Sequence, residues 1–140
     1  MTVVLDTNVF LPICAGIDEP NRVYAKIIRD CDPVAYDSRV IEEYINVLIK
    51  EGFNTVVVQV RLQDLHVRQK LRDVTKRVRP LHDMIVTHEK DRHIIECAFA
   101  AGAIIVTYEH KHLVDIRNRI RAINAVQIVT PAEYLAMSIQ

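Results

Sequence analysis

The chain has 140 residues, of which 50% are hydrophobic and 26% are charged. This length and composition predict one globular domain over residues 1–140 and exclude a disordered chain. The 18 basic residues balance 18 acidic residues, which excludes a general nucleic-acid coating protein and leaves only a local basic patch for binding nucleic acid.

Membrane and secreted proteins are not expected either. The longest apolar run, residues 97–106, is shorter than the roughly 20 residues that span a bilayer, and no basic lead or cleavage site marks a secretory signal. The three cysteines, Cys14, Cys31 and Cys97, are odd in number and lack CxxC spacing. We therefore expect buried, reduced thiols in a cytoplasmic protein with no membrane partner.

The first half of the chain predicts two strands, each with a helix after it. Residues 2–5 form a short buried strand, and a helix begins at 18–20, where an acidic pair precedes proline. A second strand is predicted at 33–36. Asp37 then offers a cap for a helix over 38–52, with apolar residues at helical spacing and glycine at the end.

The segment that follows, residues 54–78, carries two conflicting signals. Val56, Val57 and Val58 favour a strand by propensity. The spacing of the apolar residues from Val58 to Val78 suits a helix. We predict a helix here.

The second half predicts one further helix between strands and a helix at the end. Asp91 begins a helix that ends at Gly102. Apolar strands are predicted at 104–107 and 126–129, and a capped helix begins at 130–133. Alternating strands and helices predict a three-layer α/β/α sandwich with a mainly parallel central sheet.

Four acidic residues are predicted to meet at one edge of this sheet. Asp6 and Glu109 each follow a strand, Asp91 begins a helix, and Glu43 lies on the helix after the second strand. Sites in parallel sheets form at the carboxyl ends of the strands. Carboxylates that crowd together repel unless they bind a cation, and oxygen ligands suit Mg²⁺ or Mn²⁺.

Each acid also has a structural interpretation. Asp91 alone is more simply a helix N-cap, Asp6 an ordinary turn residue, and Glu109 a loop charge. At least one of the adjacent Glu42 and Glu43 should be a solvated surface residue. Only the ordered combination of the acids favours a functional site.

Several blocks of the sequence resemble the PIN-domain family. Residues 3–11 resemble its opening strand, 38–48 its second acidic motif, and 91–107 its third. The tail, 128–135, is similar to a bacterial and archaeal subgroup that includes toxins of toxin–antitoxin pairs. The resemblance covers nearly the whole chain and is weakest over 54–87.

The resemblance implies an activity and its partners. It implies a metal-dependent endoribonuclease that leaves a 5′-phosphate, with Asp6, Glu43 and Asp91 as ligands of Mg²⁺ or Mn²⁺. The implied partners are an RNA substrate, an antitoxin protein, and a second copy of the chain, with the apolar segment 56–71 supplying the homodimer surface.

The resemblance also implies roles for other residues around these ligands, and the chain departs from the family pattern at one position. Thr7, Asn8 and Thr107 are expected to orient a carboxylate or a water from behind the ligands. The family has Asp in the Thr-x-Asp motif after the fourth strand, whereas this chain has Glu109. The longer glutamate could ligate with a longer reach, act through water, or have dropped out of the site.

Basic residues are unevenly distributed despite the neutral total. Six lie between Arg68 and Arg79, and arginines at 117, 119 and 121 form a second cluster. Either cluster could hold phosphates, but a solvated helix face or a docking surface for an acidic partner is the favoured interpretation of the first. Arg92 and Lys111, close to expected ligands, are predicted to bind substrate.

Two rival classes of function remain. A binding module would keep the fold for RNA or protein while the altered fourth acid has ended catalysis. A receiver domain or a dehalogenase-type phosphatase also places an acid after an early strand, but Asn8 stands where the phosphatase pattern requires Asp.

His110 and His112 lack a second ligand pair at zinc spacing, so a solvent-facing loop is expected there.

Overall fold

The computed structural model describes residues 1–86 and 88–137. Within these residues a sheet of five strands is entirely parallel, in the order β3-β2-β1-β4-β5. Its strands are β1 (Val3–Leu5), β2 (Val34–Tyr36), β3 (Leu71–Asp73), β4 (Ile104–Val106) and β5 (Ile128–Val129). The predicted α/β sandwich with a mainly parallel sheet is confirmed.

Helices cover this sheet. In the described ranges they are α1 (Thr7–Cys14), α2 (Asp18–Asp30), α3 (Ser38–Lys50), α4 (Val56–Val67), α5 (Glu89–Ala101), α6 (Arg117–Asn124) and α7 (Pro131–Ala136), with 3₁₀ turns at Thr75–Arg77 and Val114–Ile116. All three residues of β1 are fully buried, because a central parallel strand is covered on both faces.

One helix prediction is wrong in part. The segment after residue 54 does form a helix, but α4 ends at Val67 and residues 71–78 form β3 and a 3₁₀ turn. Gln69 adopts a left-handed conformation with φ of 59°, which ends the helical path. Three residues of β3 then pair with β2, so pairing at the sheet edge outweighs the helical spacing.

Two helices, α1 and α6, were not predicted. Asp6 ends β1 and is at once the N-cap of α1, so no loop signal separates the strand from the helix. Pro12 lies inside α1, where proline normally argues against a helix. The run of arginines in α6 was taken only as a charge cluster.

The cysteine prediction is correct at one site and wrong at another. Cys97 is buried and Cys14 is partly buried, but Cys31 is exposed, since it caps α2 at the surface with φ of 57°. All three thiols are free. Within the described part of the chain, no helix has the length and apolar character needed to cross a membrane.

Candidate active site

The strand order creates a crevice in the middle of the sheet. From β1 the chain moves outward through β2 to β3, then crosses to the other side of β1 to form β4 and β5. Ligands of such sheets bind at the carboxyl ends of the strands where the order reverses. Asp6 follows β1 and Thr107 follows β4 at this position.

Asp6 is held rigidly at the end of the central strand. Its Oδ1 accepts a hydrogen bond from the backbone N of Thr7 at 2.8 Å, and its Oδ2 accepts one from Thr107 Oγ1 at 2.7 Å. Burial raises the pKa of the Asp6 carboxyl, the hydrogen bonds from Thr107 and Thr7 oppose the shift, and the charge of Asp91 adds to it. The fold thus fixes this carboxylate in a place that disfavours its negative charge.

A small polar network supports Asp6 from behind. The fully buried Thr107 hydroxyl also accepts from the backbone N of Glu109 at 2.9 Å and from Asn8 Nδ2 at 3.3 Å. Asn8 Oδ1 accepts from the backbone N of Tyr108 at 3.1 Å. The network joins the segment after β1 to the segment after β4 through the side chains of Asn8 and Thr107, whereas Thr7 contributes its backbone N to Asp6.

Asp91 is the most buried of the predicted ligands, with 5% of its surface exposed. It lies in the first turn of α5, but His88 is the N-cap, so the capping interpretation of Asp91 is wrong. Its carboxylate accepts no hydrogen bond from any residue the structure describes. Burial raises its pKa, His88 opposes the shift, and Glu109 adds to it. A carboxylate in this situation is stabilised by a proton or by a cation in the cavity that it lines.

Glu43 and Glu109 complete the set of predicted acids. Glu43 is partly exposed on α3 while its neighbour Glu42 is solvated. Lys90 Nζ lies 4.0 Å from Glu43 Oε1. Glu109 Oε1 accepts from the backbone N of His112 at 3.3 Å.

All four acids line a single cavity of about 470 Å³. Their carboxylate oxygens are the donors that Mg²⁺ and Mn²⁺ prefer. Among residues 1–86 and 88–137, however, no three His, Cys, Asp or Glu side chains stand close enough to coordinate one ion. The carboxylate oxygens suit a divalent cation. Binding one ion between them would require the acidic side chains to rotate, and a cavity of this size provides room for that rotation.

A family model of the PIN domain matches residues 2–111 of the sequence. The chain belongs to the PIN-domain family. No curated protein matches it significantly. Among solved structures, the chain is similar to a crystal structure of VapBC2 from Rickettsia felis bound to a DNA fragment from their promoter, with a TM-score of 0.62 and 16% sequence identity over 93% of this chain and 98% of that one. At this identity the likeness shows the fold.

The basic residues in the cavity of this PIN domain differ from those predicted. Neither Arg92 nor Lys111 lines it: Arg92 Nη1 lies 3.5 Å from the carbonyl oxygen of Val86, and Lys111 is exposed. Arg39 and Lys90 line it instead. The sequence carried a signal for both, because Lys90 directly precedes Asp91 and Arg39 stands one helical turn before Glu43.

Arg39 is held in place on the cavity wall by two acids. Its Nη1 donates to Glu96 at 2.8 Å and its Nη2 to Asp37 at 2.9 Å. Burial alone would lower the pKa of the Arg39 guanidinium, but the two carboxylates raise it. Arg39 therefore stays charged and rigid, whereas Lys90, with 58% of its side chain exposed, is free to move toward a bound anion.

Proposed function

We propose that this PIN domain is a metal-dependent endoribonuclease that hydrolyses RNA phosphodiesters and leaves a 5′-phosphate. The observation that carries the proposal is the single cavity lined by Asp6, Glu43, Asp91 and Glu109 at the carboxyl edge of the sheet. Burial raises the pKa of both Asp6 and Asp91. Burial disfavours the negative charge of these carboxylates, and a cation bound between them would stabilise it.

Asp6, Glu43 and Asp91 would hold Mg²⁺ or Mn²⁺, and Glu109 would contribute through its longer side chain. When bound, such a cation lowers the pKa of a coordinated water and stabilises charge that develops on the phosphate. Thr107 keeps the Asp6 carboxylate in one orientation. Lys90 supplies a positive charge at the mouth of the cavity that can attract a phosphate oxygen.

The alternative function is a PIN-fold module that binds RNA or protein without cutting. Glu109 in place of the family's Asp, together with the separation of the acids, is the observation that favours it. Affinity for Mn²⁺ distinguishes the two functions, because a module without catalysis has no need to bind the ion.

We also propose that the chain is the toxin of a toxin–antitoxin pair. The similarity of its tail to that subgroup supports this role, and the neighbouring solved structure is of VapBC2, bound to promoter DNA. Much of the cavity wall is apolar, and Ile17 and Phe53 on it are 55% and 58% exposed. An antitoxin segment that covered this wall would remove that apolar surface from water.

The test is cleavage of single-stranded RNA by the purified protein in Mn²⁺, with matched single-stranded DNA as control. We expect RNA fragments with 5′-phosphate ends, and no fragments in excess EDTA. Full activity in EDTA would rule out a metal mechanism. A protein that neither binds Mn²⁺ nor cleaves any RNA would favour the binding module.

A further inference from the structure

The basic segment between Arg68 and Arg79 is unexplained by the site described above. It carries six basic residues and one acid, Asp73, in a chain with no net charge. The structure places it along the edge strand β3 and the 3₁₀ turn Thr75–Arg77. The interpretation as a solvated helix face is therefore wrong for most of the segment.

The first half of the segment has a structural role. Arg68 Nε pairs with Asp64 at 3.1 Å, and Arg72 Nη1 donates to Thr2 Oγ1 at 3.3 Å. Lys70 and Arg72 flank or occupy β3, where charged side chains protect an exposed sheet edge from pairing with other strands. These residues need no ligand to account for them.

The second half, which we call the basic turn, consists of Lys76, Arg77 and Arg79. It follows the carboxyl end of β3, which is two strands from β1 and so about 10 Å from the strand that ends at Asp6. The turn therefore lies at the same edge of the sheet as the acidic cavity.

Hydrogen bonds fasten the basic turn to the helices that carry the acids. Thr75 Oγ1 accepts from the backbone N of Ser38, at the start of α3, at 3.1 Å. Just beyond the turn, the backbone N of Leu81 donates to Glu96 Oε2 on α5 at 3.0 Å. Because Glu96 also holds Arg39 on the cavity wall, the turn and the cavity share one rigid support.

The cations of the basic turn have no direct ionic partner among the described residues, although the charge of Lys76 contributes, after the hydrogen bonds from Thr75, to lowering the pKa of Asp73. Arg79 Nη1 donates to the carbonyl oxygens of Lys76 and Val78, which stabilises the turn. The side chains of Lys76 and Arg77 are exposed and form no ion pair or hydrogen bond with any described residue. Asp73, the nearest acid in the sequence, is already bonded to the backbone and hydroxyl of Thr75.

We propose that the basic turn binds the phosphate backbone of single-stranded RNA next to the nucleotide held in the cavity. This proposal rests on the proposed function, since it takes the cavity as the place of the scissile phosphate. RNA is favoured over an acidic protein because the turn follows the carboxyl end of β3, at the same edge of the sheet as the cavity proposed to hold the scissile phosphate, so that one strand can reach both. A strand with one phosphate in the cavity brings neighbouring phosphates to Lys76 and Arg77.

The experiment measures binding without cleavage. A short fluorescein-labelled single-stranded oligoribonucleotide is titrated with protein in EDTA over a series of salt concentrations, and anisotropy gives the affinity. The test variant is Lys76→Gln with Arg77→Gln. The matched control is Lys70→Gln with Arg121→Gln, which also removes one lysine and one arginine from solvent-accessible positions, but ahead of the amino ends of β3 and β5.

We expect the test variant to bind RNA more weakly and to lose about 1.4 from the slope of log affinity against log salt, since each contact with a single-strand phosphate contributes about 0.7. The control should match the wild type, and all three should melt at the same temperature. Equal RNA binding by both variants would overturn the proposal. A second outcome would also overturn it: polyglutamate binds the wild type but not the test variant, while both bind RNA with the same affinity. In that case the turn would bind an acidic protein. Because EDTA prevents metal-dependent cleavage, the assay measures RNA binding by the basic turn whether or not the protein is a nuclease.

Discussion

Replacing Asp6 with asparagine separates the charge of this residue from its structural role. Asp6 caps α1 through Oδ1 and receives the Thr107 hydroxyl on Oδ2. Asparagine caps helices about as well as aspartate, whereas alanine in place of a capping residue costs about 1 kcal/mol. That cost corresponds to a melting temperature lower by about 2–4 °C in a domain of this size.

The pKa shift gives the sign of the charge effect. Burial raises the pKa of the folded Asp6 carboxyl above its ordinary value of 3.8, so the folded state binds the proton more tightly than the unfolded state does. This tighter proton binding stabilises the folded state. The stabilisation is fully present below the pKa that Asp6 has in the unfolded state and is lost as the pH rises through its pKa in the folded state. At neutral pH the ionised Asp6 therefore opposes folding in the absence of metal, and asparagine removes that penalty.

The assay combines melting without metal and RNA cleavage with saturating Mn²⁺. We expect Asp6→Asn to melt at or above the wild-type temperature at pH 7, with the difference shrinking toward pH 4, and Asp6→Ala to melt below Asp6→Asn. Cleavage should fall by orders of magnitude in both, because losing a ligand removes stabilisation of the transition state. A destabilised Asp6→Asn protein that cuts RNA at the wild-type rate per folded molecule would show that Asp6 is only a turn residue.

Three further predictions concern charge, acid stability and association. Lys90→Gln removes a cation beside Glu43, so calorimetry should show severalfold tighter Mn²⁺ binding; weaker binding would contradict this competition. Arg117 and the cap at Thr130 lower the pKa of Glu133 from 4.5 to about 2. Its stabilisation is therefore present above pH 4.5 and lost as the pH falls through 2, and Glu133→Gln should lower the melting temperature at pH 7 but not at pH 2. Light scattering should give a dimer mass that Val60→Lys reduces to that of a monomer, since Val60 is 59% exposed on α4; a wild-type monomer across the micromolar range would refute the homodimer.

The elements that carry local signals could be predicted from the sequence. Asp37 caps α3 through the backbone N of Arg39 and of Val40, as expected from its position before a helical pattern. Thr130 and Glu133 form a capping box at α7. Continuous apolar residues marked β4 as a strand buried on both faces. In each case the residues that determine the structure are neighbours in the sequence.

The elements that depend on distant contacts could not be predicted. β3 exists because Val34, Ala35 and Tyr36 offer it a pairing edge, and nothing within residues 71–73 shows this. The acids of the candidate site were found because each follows a strand or lies on a helix with a readable start. Their separations, and the entry of Arg39 and Lys90 into the cavity, depend on how α3 and α5 pack together.

If the four acids of the cavity form one metal site that cuts RNA, removing the charge of Asp91 should abolish both metal binding and cleavage. Asp91 as a residue is 5% exposed and its carboxylate accepts no hydrogen bond within the described ranges, so Asp91→Asn removes a charge without breaking a described contact. The measurement is the rate of RNA cleavage across a Mn²⁺ titration, with Mn²⁺ binding followed by calorimetry on the same samples. We expect the wild type to bind Mn²⁺ and to cut RNA, and Asp91→Asn to fold at least as stably but to lose both properties. An Asp91→Asn protein with wild-type Mn²⁺ affinity and cleavage rate would show that Asp91 is not part of a metal site.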